Sequence, residues 1–252
     1  MTDVHINITN KPVSAASNND AFEKMYVSIR EKEKRVYQDA EVVMLPNISA
    51  SHTHYKEWLV RKRSVNRLFN YLEKKNKPLS ILEVGCGNGW LIAQLSTLPG
   101  SNAIGIDINK IEIEQAKRVF SKKHNLEFLQ TDLDKNNLKD KKFDAIIFAA
   151  SISYFDSLEA IISRALSFLN KDGEVHVLDS FFYKKSEIDT AKKRAYDYCE
   201  SLGHVEMTEH YFHHCIDTLK NFNHKILFNP LGFKNKLSGT RDPFPWIVIK
   251  NK

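Results

Sequence analysis

The chain has 252 residues, of which 42% are hydrophobic, and a formal net charge of +6 at pH 7. This length allows one large α/β domain with an additional segment and is too short for two full-sized catalytic domains. No stretch approaches the roughly 20 apolar residues of a transmembrane helix, so we expect no membrane span. The start of the chain lacks the apolar run of a secretory signal, and we therefore expect a cytoplasmic protein.

Charge and cysteine usage disfavour further classes of protein. Lysines far outnumber arginines and are scattered among acidic residues, which is typical of solvated helix faces and argues against a nucleic-acid partner. Cys86, Cys199 and Cys215 are far apart and lack the spacing of a zinc site or a disulfide framework. We expect free thiols in a reducing compartment, and the composition leaves homo-oligomerisation open.

The amino-terminal part of the chain divides into two segments. Residues 1–20 are polar, small and without periodicity, which predicts a disordered terminus. In residues 21–77, one helix is predicted from Ala21 to about Tyr37, and apolar spacing predicts a second from about His54 to Lys74. We expect these helices to form a cap over one end of the domain that residues 78–252 build.

Within residues 78–252, short apolar runs alternate with longer amphipathic ones, which is typical of strand–helix units in a parallel sheet. The predicted strands are Ser80–Val84, Asn102–Asp107, Leu126–Gln130, Phe143–Phe148 and Glu174–Asp179. The predicted helices are about Gly89–Thr97, Lys110–Ser121, Ser157–Leu169, Ser186–Leu202 and Thr208–Asn221. The apolar runs Lys225–Phe228 and Trp246–Ile249 are predicted to form an antiparallel edge, joined by the loop Asn229–Pro243. We therefore expect an α/β fold with a mostly parallel sheet of about seven strands, an antiparallel edge strand and helices on both faces.

The turn after the first predicted strand carries glycines at three alternate positions, Gly85, Gly87 and Gly89. Glycine adopts backbone torsions that a side chain forbids and lets a ligand lie against the main chain, and the helix that follows offers free N–H groups. The dinucleotide spacing G-x-G-x-x-G would need its third glycine where Trp90 stands. The turn therefore disfavours a pyrophosphate site.

The run Glu83-Val84-Gly85-Cys86-Gly87-Asn88-Gly89 resembles motif I of class I S-adenosylmethionine-dependent methyltransferases, in which an acid precedes three alternate glycines. The resemblance continues over about Ile81–Ser180. It implies a Rossmann-like fold, S-adenosylmethionine as cofactor and S-adenosylhomocysteine as product. The alternative is a glycine turn that only joins a strand to a helix. The cofactor contacts implied within this run are Glu83, Gly85, Cys86, Gly87, Asn88 and Gly89.

Later segments supply further candidate cofactor ligands. Asp107 ends the second predicted strand, where a carboxylate can accept hydrogen bonds from both hydroxyls of a ribose. The same acid would serve a nicotinamide cofactor, and helix capping would also explain it. The resemblance assigns the remaining cofactor contacts to Ile108, Asp132, Leu133 and Ala149. At the adenine position Asp134 is the alternative to Asp132, which would then only cap a turn.

The segment Ser151–Phe155 faces the methyl acceptor in the family that the chain resembles. It lacks the signatures of enzymes that methylate nucleobase amino groups, cytosine carbon-5 or protein arginines, and it is similar to the branch that acts on quinone precursors and other metabolites. We expect methyl transfer to a small-molecule acceptor. The alternatives are an RNA or protein methyltransferase and a non-catalytic cofactor-binding protein of the same fold.

A hydroxyl acceptor would need a general base, and the sequence offers several candidates for it. The candidate pocket residues are Ser151, Tyr154, His176 and His210. His213 and His214 are further candidates, and each shares a predicted helix face with His210, but no acid or thiol completes a metal site at an obvious spacing. We expect no metal. Asp179, at the end of the fifth predicted strand, either faces the pocket or caps the segment that follows.

The predicted cap carries aromatic and basic side chains that are candidate ligands. These residues are Tyr26, Arg30, Tyr37, His54, Trp58 and Arg61. A Tyr or Arg among them is a candidate partner for the methionine carboxylate of the cofactor or for an anionic acceptor. The simpler alternative is that the aromatic rings pack and the arginines are solvated.

Overall fold

The computed structural model describes residues 15–237 and 241–252. Its helices are α1 (Ala15–Lys32), α2 (Asp39–Met44), α3 (Tyr55–Glu73), α4 (Trp90–Leu95), α5 (Lys110–Val119), α6 (Leu158–Ser167), α7 (Ile188–Ser201) and α8 (Phe233–Leu237). Its strands are β1 (Ser80–Val84), β2 (Asn102–Asp107), β3 (Leu126–Gln130), β4 (Phe143–Ala149), β5 (Leu169–Leu178), β6 (Asn223–Phe228) and β7 (Trp246–Lys250). None of the described helices is both long and apolar enough to cross a membrane.

The strands form a single seven-stranded sheet in the order β3-β2-β1-β4-β5-β7-β6. β1 to β5 pair in parallel, whereas β7 runs antiparallel to both β5 and β6. The predicted α/β class and the mostly parallel sheet of seven strands are confirmed. The antiparallel strand lies one position inside the edge, because β6 pairs with its outer side.

Alternate residues of the central strands pack into two hydrophobic clusters, one on each face of the sheet. On β1, Leu82 belongs to the cluster that also contains Ile162 of α6. Its neighbour Ile81 belongs to the cluster that contains Leu68 of α3 and Ile92 of α4. Because helices cover both faces, the open part of the sheet is the edge at the carboxyl ends of the parallel strands.

The helix predicted over Thr208–Asn221 is wrong. Two short 3₁₀ segments, Val205–His210 and Ile216–Asn221, stand there instead, separated by extended chain. The Phe212 N–H donates to the carbonyl of Ser153 at 2.7 Å, so this stretch is held across the fold rather than within a helix. Such tertiary contacts override a local helical pattern.

The other predicted elements hold within a few residues, with four differences. The first helix ends at Lys32 rather than at about Tyr37, and α8 lies within the predicted loop Asn229–Pro243. β5 begins at Leu169 rather than Glu174, because Leu169 pairs with Phe143 ahead of a register shift. Of the terminus predicted to be disordered, residues 1–14 lie outside the described part of the chain, and α1 already begins at Ala15.

Candidate active site

A cleft of about 470 Å³ lies at the carboxyl ends of β1, β2 and β4, within the range of roughly 300–1,000 Å³ typical of small-molecule sites. The cleft lies at this edge because each parallel strand delivers its following loop there. The predicted cofactor contacts that line it are Glu83, Gly85, Cys86, Gly87, Asn88, Asp107, Ile108, Asp132, Leu133 and Ala149. Gly89 is the one predicted contact that is not part of the described lining.

The glycine turn folds closely against neighbouring chain. Gly85 has a φ of +72°, and a Cβ there would lie 2.6 Å from the Cβ of Ser151. The N–H groups of Gly85 and Cys86 both donate to the carbonyl of Ile106. Ser151 donates its hydroxyl hydrogen to the Val84 carbonyl at 2.6 Å, so this predicted pocket residue anchors the turn at the edge of the cleft.

Gly89 packs instead of facing the cleft. It has a φ of +76° and immediately precedes α4. A Cβ at this position would lie 2.4 Å from the ring of Phe128 on β3 and 3.1 Å from Ala116 on α5. The third glycine of the motif therefore allows the turn to pack against neighbouring elements.

The carboxylate of Asp107 is fixed by the backbone on both sides. Its Oδ2 accepts from the N–H of Gly87 and its Oδ1 from the N–H of Asn109, each at 2.8 Å. Burial raises its pKa, and these hydrogen bonds act in the opposite direction. The alternative role of capping falls to Asn109, whose side chain accepts from the N–H of Glu112 at the start of α5. Asp107 therefore retains lone pairs for a ligand.

Glu112 is an acidic residue of the cleft that the sequence analysis missed. It lines the cleft beside Gly87, where an added Cβ would lie 3.3 Å from Glu112 Oε2. Burial, reinforced by the charge of Asp107, raises its pKa to about 7. The only sequence signal is Asn109 three residues earlier, a helix-capping pattern that points to local structure rather than to a ligand.

Two acids at the start of the loop after β3 both line the cleft. Asp132 Oδ1 accepts from the N–H groups of Asp134 and Lys135, at 3.0 and 2.9 Å, so this side chain does cap a turn. Asp134 is largely exposed and pairs with Arg164 at 3.3 Å. Asp132 remains the predicted adenine ligand, with Asp134 as the alternative.

Glu83 connects the end of β1 to α4. Its Oε2 accepts from the N–H of Ile92 at 3.0 Å, and the residue is only 3% exposed. Burial raises its pKa well above the ordinary value. The helix has glycine at its N-cap and no side-chain cap of its own. Glu83 therefore substitutes for a cap while lying in the wall of the cleft.

Residues from the amino-terminal helices also line the cleft. From the predicted cap, the lining contains Tyr26, Arg30, Tyr37, Trp58 and Arg61. His54 does not; its ring hydrogen-bonds to the Glu33 carbonyl at 2.7 Å. Phe22 and Arg35 also line the cleft. Neither could be identified from the sequence, because each reaches the site only through the packing of its segment.

Arg35 and Arg61 share one carboxylate, that of Glu57. Arg35 donates to Glu57 at 2.7 Å and Arg61 at 2.9 Å. Burial would raise the pKa of Glu57, but the two guanidiniums outweigh it and lower the pKa to about 2. The guanidinium of Arg61 also lies over the ring of Trp58, which meets Trp90 edge-on at 5.1 Å.

Aromatic rings of α1 and of the loop after β4 line one side of the cleft. Tyr154 meets Tyr26 at a ring-centroid distance of 6.0 Å and Phe22 at 6.3 Å. Phe22 also meets the ring of His210 at 5.0 Å. The structure thus brings together two of the predicted pocket residues, Tyr154 and His210, under α1.

The remaining candidates lie elsewhere. His176 is fully buried in β5, and its ring contacts the Trp246 indole N–H at 3.3 Å, outside the cleft lining. Asp179 accepts from the Ser64 hydroxyl at 2.6 Å and neither lines the cleft nor caps a helix. His213 and His214 do not share a helix face with His210, because the chain there is extended. No group of three metal-ligating side chains occurs in the described residues.

A family model identifies the part of the chain that builds this cleft. Residues 81–173 match the model of the family described as methyltransferase domain. This part of the chain is therefore similar to a methyltransferase domain. The match covers β1 through the first part of β5, including the glycine turn, Asp107 and Asp132. The matched region supplies the floor of the cleft, while α1 and α3 lie ahead of it.

Comparison with individual proteins places the methyltransferase domain among diverse relatives. The chain is 28% identical over 123 residues to malonyl-[acyl-carrier protein] O-methyltransferase of Halalkalibacterium halodurans, with 45% of each chain covered. It is 25% identical over 177 residues to sterol 24-C-methyltransferase of Saccharomyces cerevisiae, with 66% of this chain and 43% of the relative covered. The chain spans about half the length of the curated relatives it matches.

Solved structures share the fold over nearly the whole chain. Magnesium protoporphyrin IX methyltransferase from Synechocystis superposes with a TM-score of 0.58 at 14% identity, covering 94% of this chain and 99% of the other. The plantazolicin methyltransferase BpumL superposes with a TM-score of 0.56 at 16% identity and the same coverage. At these identities the likeness confirms the Rossmann-like methyltransferase fold.

Proposed function

We propose that this protein binds S-adenosylmethionine and transfers its methyl group to a small-molecule acceptor. The observation that carries the proposal is the convergence of the glycine turn and Asp107 on one cleft of a methyltransferase domain. The bound donor supplies a methyl group on a cationic sulfonium. The task left to the chain is to hold an acceptor in line with that group in an enclosed pocket.

The lining fits the parts of this donor. Bare backbone at Gly85 and Gly87 leaves room that a Cβ would fill. Asp107, held by two backbone N–H groups, is oriented to accept from ribose hydroxyls. Asp132 and Leu133 would meet the adenine, and Ala149 lies toward the methionine end. Glu112 lies close enough to Gly87 to add a second carboxylate to the ribose side.

Enclosure of the acceptor end favours a small molecule over RNA or protein. Phe22 and Tyr26 of α1 pack against Tyr154 and line one side of the cleft. A macromolecular acceptor would need an open, continuous basic surface at this place. We therefore also propose that α1 acts as a cap that belongs to the acceptor site. The cysteines are free, which favours the reducing cytoplasm as location.

Binding of S-adenosylhomocysteine, measured by calorimetry, tests the donor site. We expect Gly87→Val and Asp107→Ala each to weaken binding by at least about tenfold. The valine side chain would fill the space beside the glycine backbone, and the alanine would remove a charge-assisted hydrogen-bond acceptor. Asp189→Ala, on the exposed side of α7, is the matched control. Near wild-type affinity in both site variants, with the fold intact by circular dichroism, would contradict the proposal.

Turnover distinguishes an enzyme from a non-catalytic binding protein. The wild-type protein is incubated with S-adenosylmethionine and a cell metabolite extract, and S-adenosylhomocysteine is measured. We expect its formation to depend on both the protein and the extract. Formation that is unchanged when the extract is replaced by RNA or a protein fraction would favour the macromolecular alternative.

A further inference from the structure

Hydrogen-bond donors converge at the corner of the cleft formed by Arg30, Tyr26 and Tyr154. Arg30 donates to Tyr26 Oη at 2.9 Å and to Glu33 at 3.3 Å, which leaves other N–H groups of its five available. Since Tyr26 Oη accepts from Arg30, its own hydrogen is free to point into the cleft. Tyr154 Oη makes no hydrogen bond to the described residues. The corner therefore offers hydrogen-bond donors from three side chains, one guanidinium and two phenols.

The same corner keeps an incompletely neutralised positive charge. The carboxylate of Glu33 is 3.3 Å from Arg30, but it also pairs with Arg35 at 3.2 Å and accepts the hydroxyl hydrogen of Tyr198. Because Arg35 and Arg61 share Glu57, the two carboxylates of Glu33 and Glu57 serve three guanidiniums, those of Arg30, Arg35 and Arg61. A guanidinium lying among aromatic rings in a partly enclosed cleft is stabilised by an anion that completes its hydrogen bonds.

We propose that this corner binds a carboxylate of the methyl acceptor, so that the product of the reaction is a methyl ester. The proposal rests on the proposed function and adds the chemical class of the acceptor to it. Arg30 and the hydroxyls of Tyr26 and Tyr154 would hold the carboxylate on the side of the cleft that α1 covers.

A neighbouring pair of arginines is assigned to the carboxylate of the donor. Arg35 and Arg61, joined through Glu57, lie with Trp58 against Trp90. Trp90 directly follows the glycine turn, where the methionine part of the donor would lie. Arg35 also shares Glu33 with Arg30, so the two arginine groups adjoin. Arg30 is assigned to the acceptor because it contacts Tyr26 and Tyr154 follows β4, whereas Arg35 and Arg61 lie beside the glycine turn.

The chemistry balances without a base. One oxygen of the acceptor carboxylate forms the new bond to the methyl carbon while the carbon–sulfur bond breaks, and the electron pair of that bond remains on sulfur. The carboxylate and the sulfonium become a neutral ester and a neutral thioether, so no proton is transferred. Burial raises the pKa of both Tyr26 and Tyr154, which keeps these groups as hydrogen-bond donors rather than bases.

The fate of a labelled methyl group tests the acceptor class. Protein, S-adenosylmethionine labelled in its methyl group and a metabolite extract are incubated, and the products are treated with mild alkali. Methyl esters release the label as methanol, whereas methyl ethers, N-methyl and C-methyl products retain it. We expect alkali-labile label, reduced about tenfold or more in Arg30→Gln and Tyr154→Phe because each loses a charge-assisted hydrogen bond. Arg118→Gln and Tyr196→Phe, both on exposed surfaces, should retain it.

Two binding measurements complete the test. The affinity for S-adenosylhomocysteine should stay within about twofold of wild type in Arg30→Gln and Tyr154→Phe, since the contacts that they lose are with the acceptor. Wild-type protein loaded with S-adenosylhomocysteine should bind benzoate in preference to the neutral benzamide, and Arg30→Gln should abolish this preference.

Three results would overturn the carboxylate proposal. The first is alkali-stable label. The second is an Arg30→Gln variant that loses S-adenosylhomocysteine affinity as strongly as transfer, because the corner would then hold the carboxylate of the donor. The third is absence of transferred label together with no preference for benzoate. Failure of the wild-type protein to bind S-adenosylhomocysteine would instead remove the proposed function.

Discussion

Two carboxyl groups meet at the backbone of Gly87, and they differ in how they are held. Asp107 accepts the Gly87 N–H, whereas Glu112 reaches the same glycine from the first turn of α5. Burial and the charge of Asp107 raise the pKa of Glu112 to about 7. The donor site therefore contains an acid that changes charge near neutral pH.

Glu112 should make donor binding pH-dependent. Below pH about 7 its carboxyl is protonated in the free protein, and above it the carboxylate can accept from a hydroxyl of the ligand. If only the ionised form binds, the Kd for S-adenosylhomocysteine falls about tenfold between about pH 6 and about pH 8. Calorimetry across this range measures the slope of Kd against pH, and this slope should be close to zero in Glu112→Gln. An equal slope in that variant would assign the dependence to another group.

At the residue scale, the sequence predicted what a linear motif can encode. Gly85, Gly87 and Asp107 lie at fixed offsets from strand ends, and all three line the cleft. Glu112 and Arg35 also line it, yet the sequence around Glu112 indicates only a helix cap and the sequence around Arg35 only a charged helix. Their position in the cleft depends on which elements pack against the glycine turn. The spacing of residues along the sequence does not encode that packing.

At the element scale, α4 depends on β1 for its amino-terminal hydrogen bonds. The helix has six residues and begins after Gly89, which offers no side-chain cap. Glu83 accepts the Ile92 N–H from the end of β1. The acid of the glycine motif therefore fixes the helix that follows the turn, which keeps the turn itself in place.

Loss of the acceptor at Glu83 should destabilise the protein, whereas loss of its charge should not. Glu83→Ala leaves the buried Ile92 N–H unpaired and should cost about 1–2 kcal/mol, comparable to removal of a helix cap. Because burial raises the pKa of Glu83, Glu83→Gln, which keeps an acceptor oxygen, should retain most of the stability. In thermal unfolding, the Tm of the alanine variant should be about 2–8 °C below that of the wild type. Equal losses in both variants would indicate that the charge is required.

Elements with strong periodicity and clear ends could be predicted, and those held by distant contacts could not. The residues of β1, β2 and β3 agree at both ends with the sequence expectation, because apolar runs bounded by turn residues determine them. The stretch after Thr208 has helical spacing, but the bond from Phe212 to Ser153 holds it extended. That contact connects segments almost sixty positions apart and leaves no local signature.

At the scale of the whole molecule, a buried charge network joins the sheet to α3 on the side away from the cleft. Glu174 of β5 is 1% exposed and pairs with Lys75 and Lys250, each at 2.7 Å. It also accepts from the Tyr71 hydroxyl at 3.0 Å and lies 3.5 Å from the ring nitrogen of His176. These contacts tie three distant parts of the chain to one carboxylate, so the network contributes to global stability rather than to the site.

This network should make stability depend on acid pH. Burial would raise the pKa of Glu174, but its bonds to His176 and the two lysines outweigh it and lower the pKa well below the ordinary value near 4.5. A depressed folded-state pKa contributes stability that is present above the unfolded-state pKa and is lost as pH falls through the folded-state pKa. Acid should therefore weaken the wild-type protein through this carboxyl group.

Glu174→Gln tests this directly. At pH 7 the variant leaves two lysines without their carboxylate and should lose about 2 kcal/mol, a value reduced from that of a fully buried pair because the lysine side chains reach solvent. Denaturant unfolding at pH 7 and at about pH 3 measures the difference, which should shrink at the lower pH because the unfolded wild-type protein then binds a proton at Glu174 that the folded protein does not bind. Glu114→Gln, at an exposed position of α5, should show no such convergence. A difference that stays constant down to about pH 3 would mean that packing or hydrogen bonding, rather than the charge of Glu174, stabilises this region.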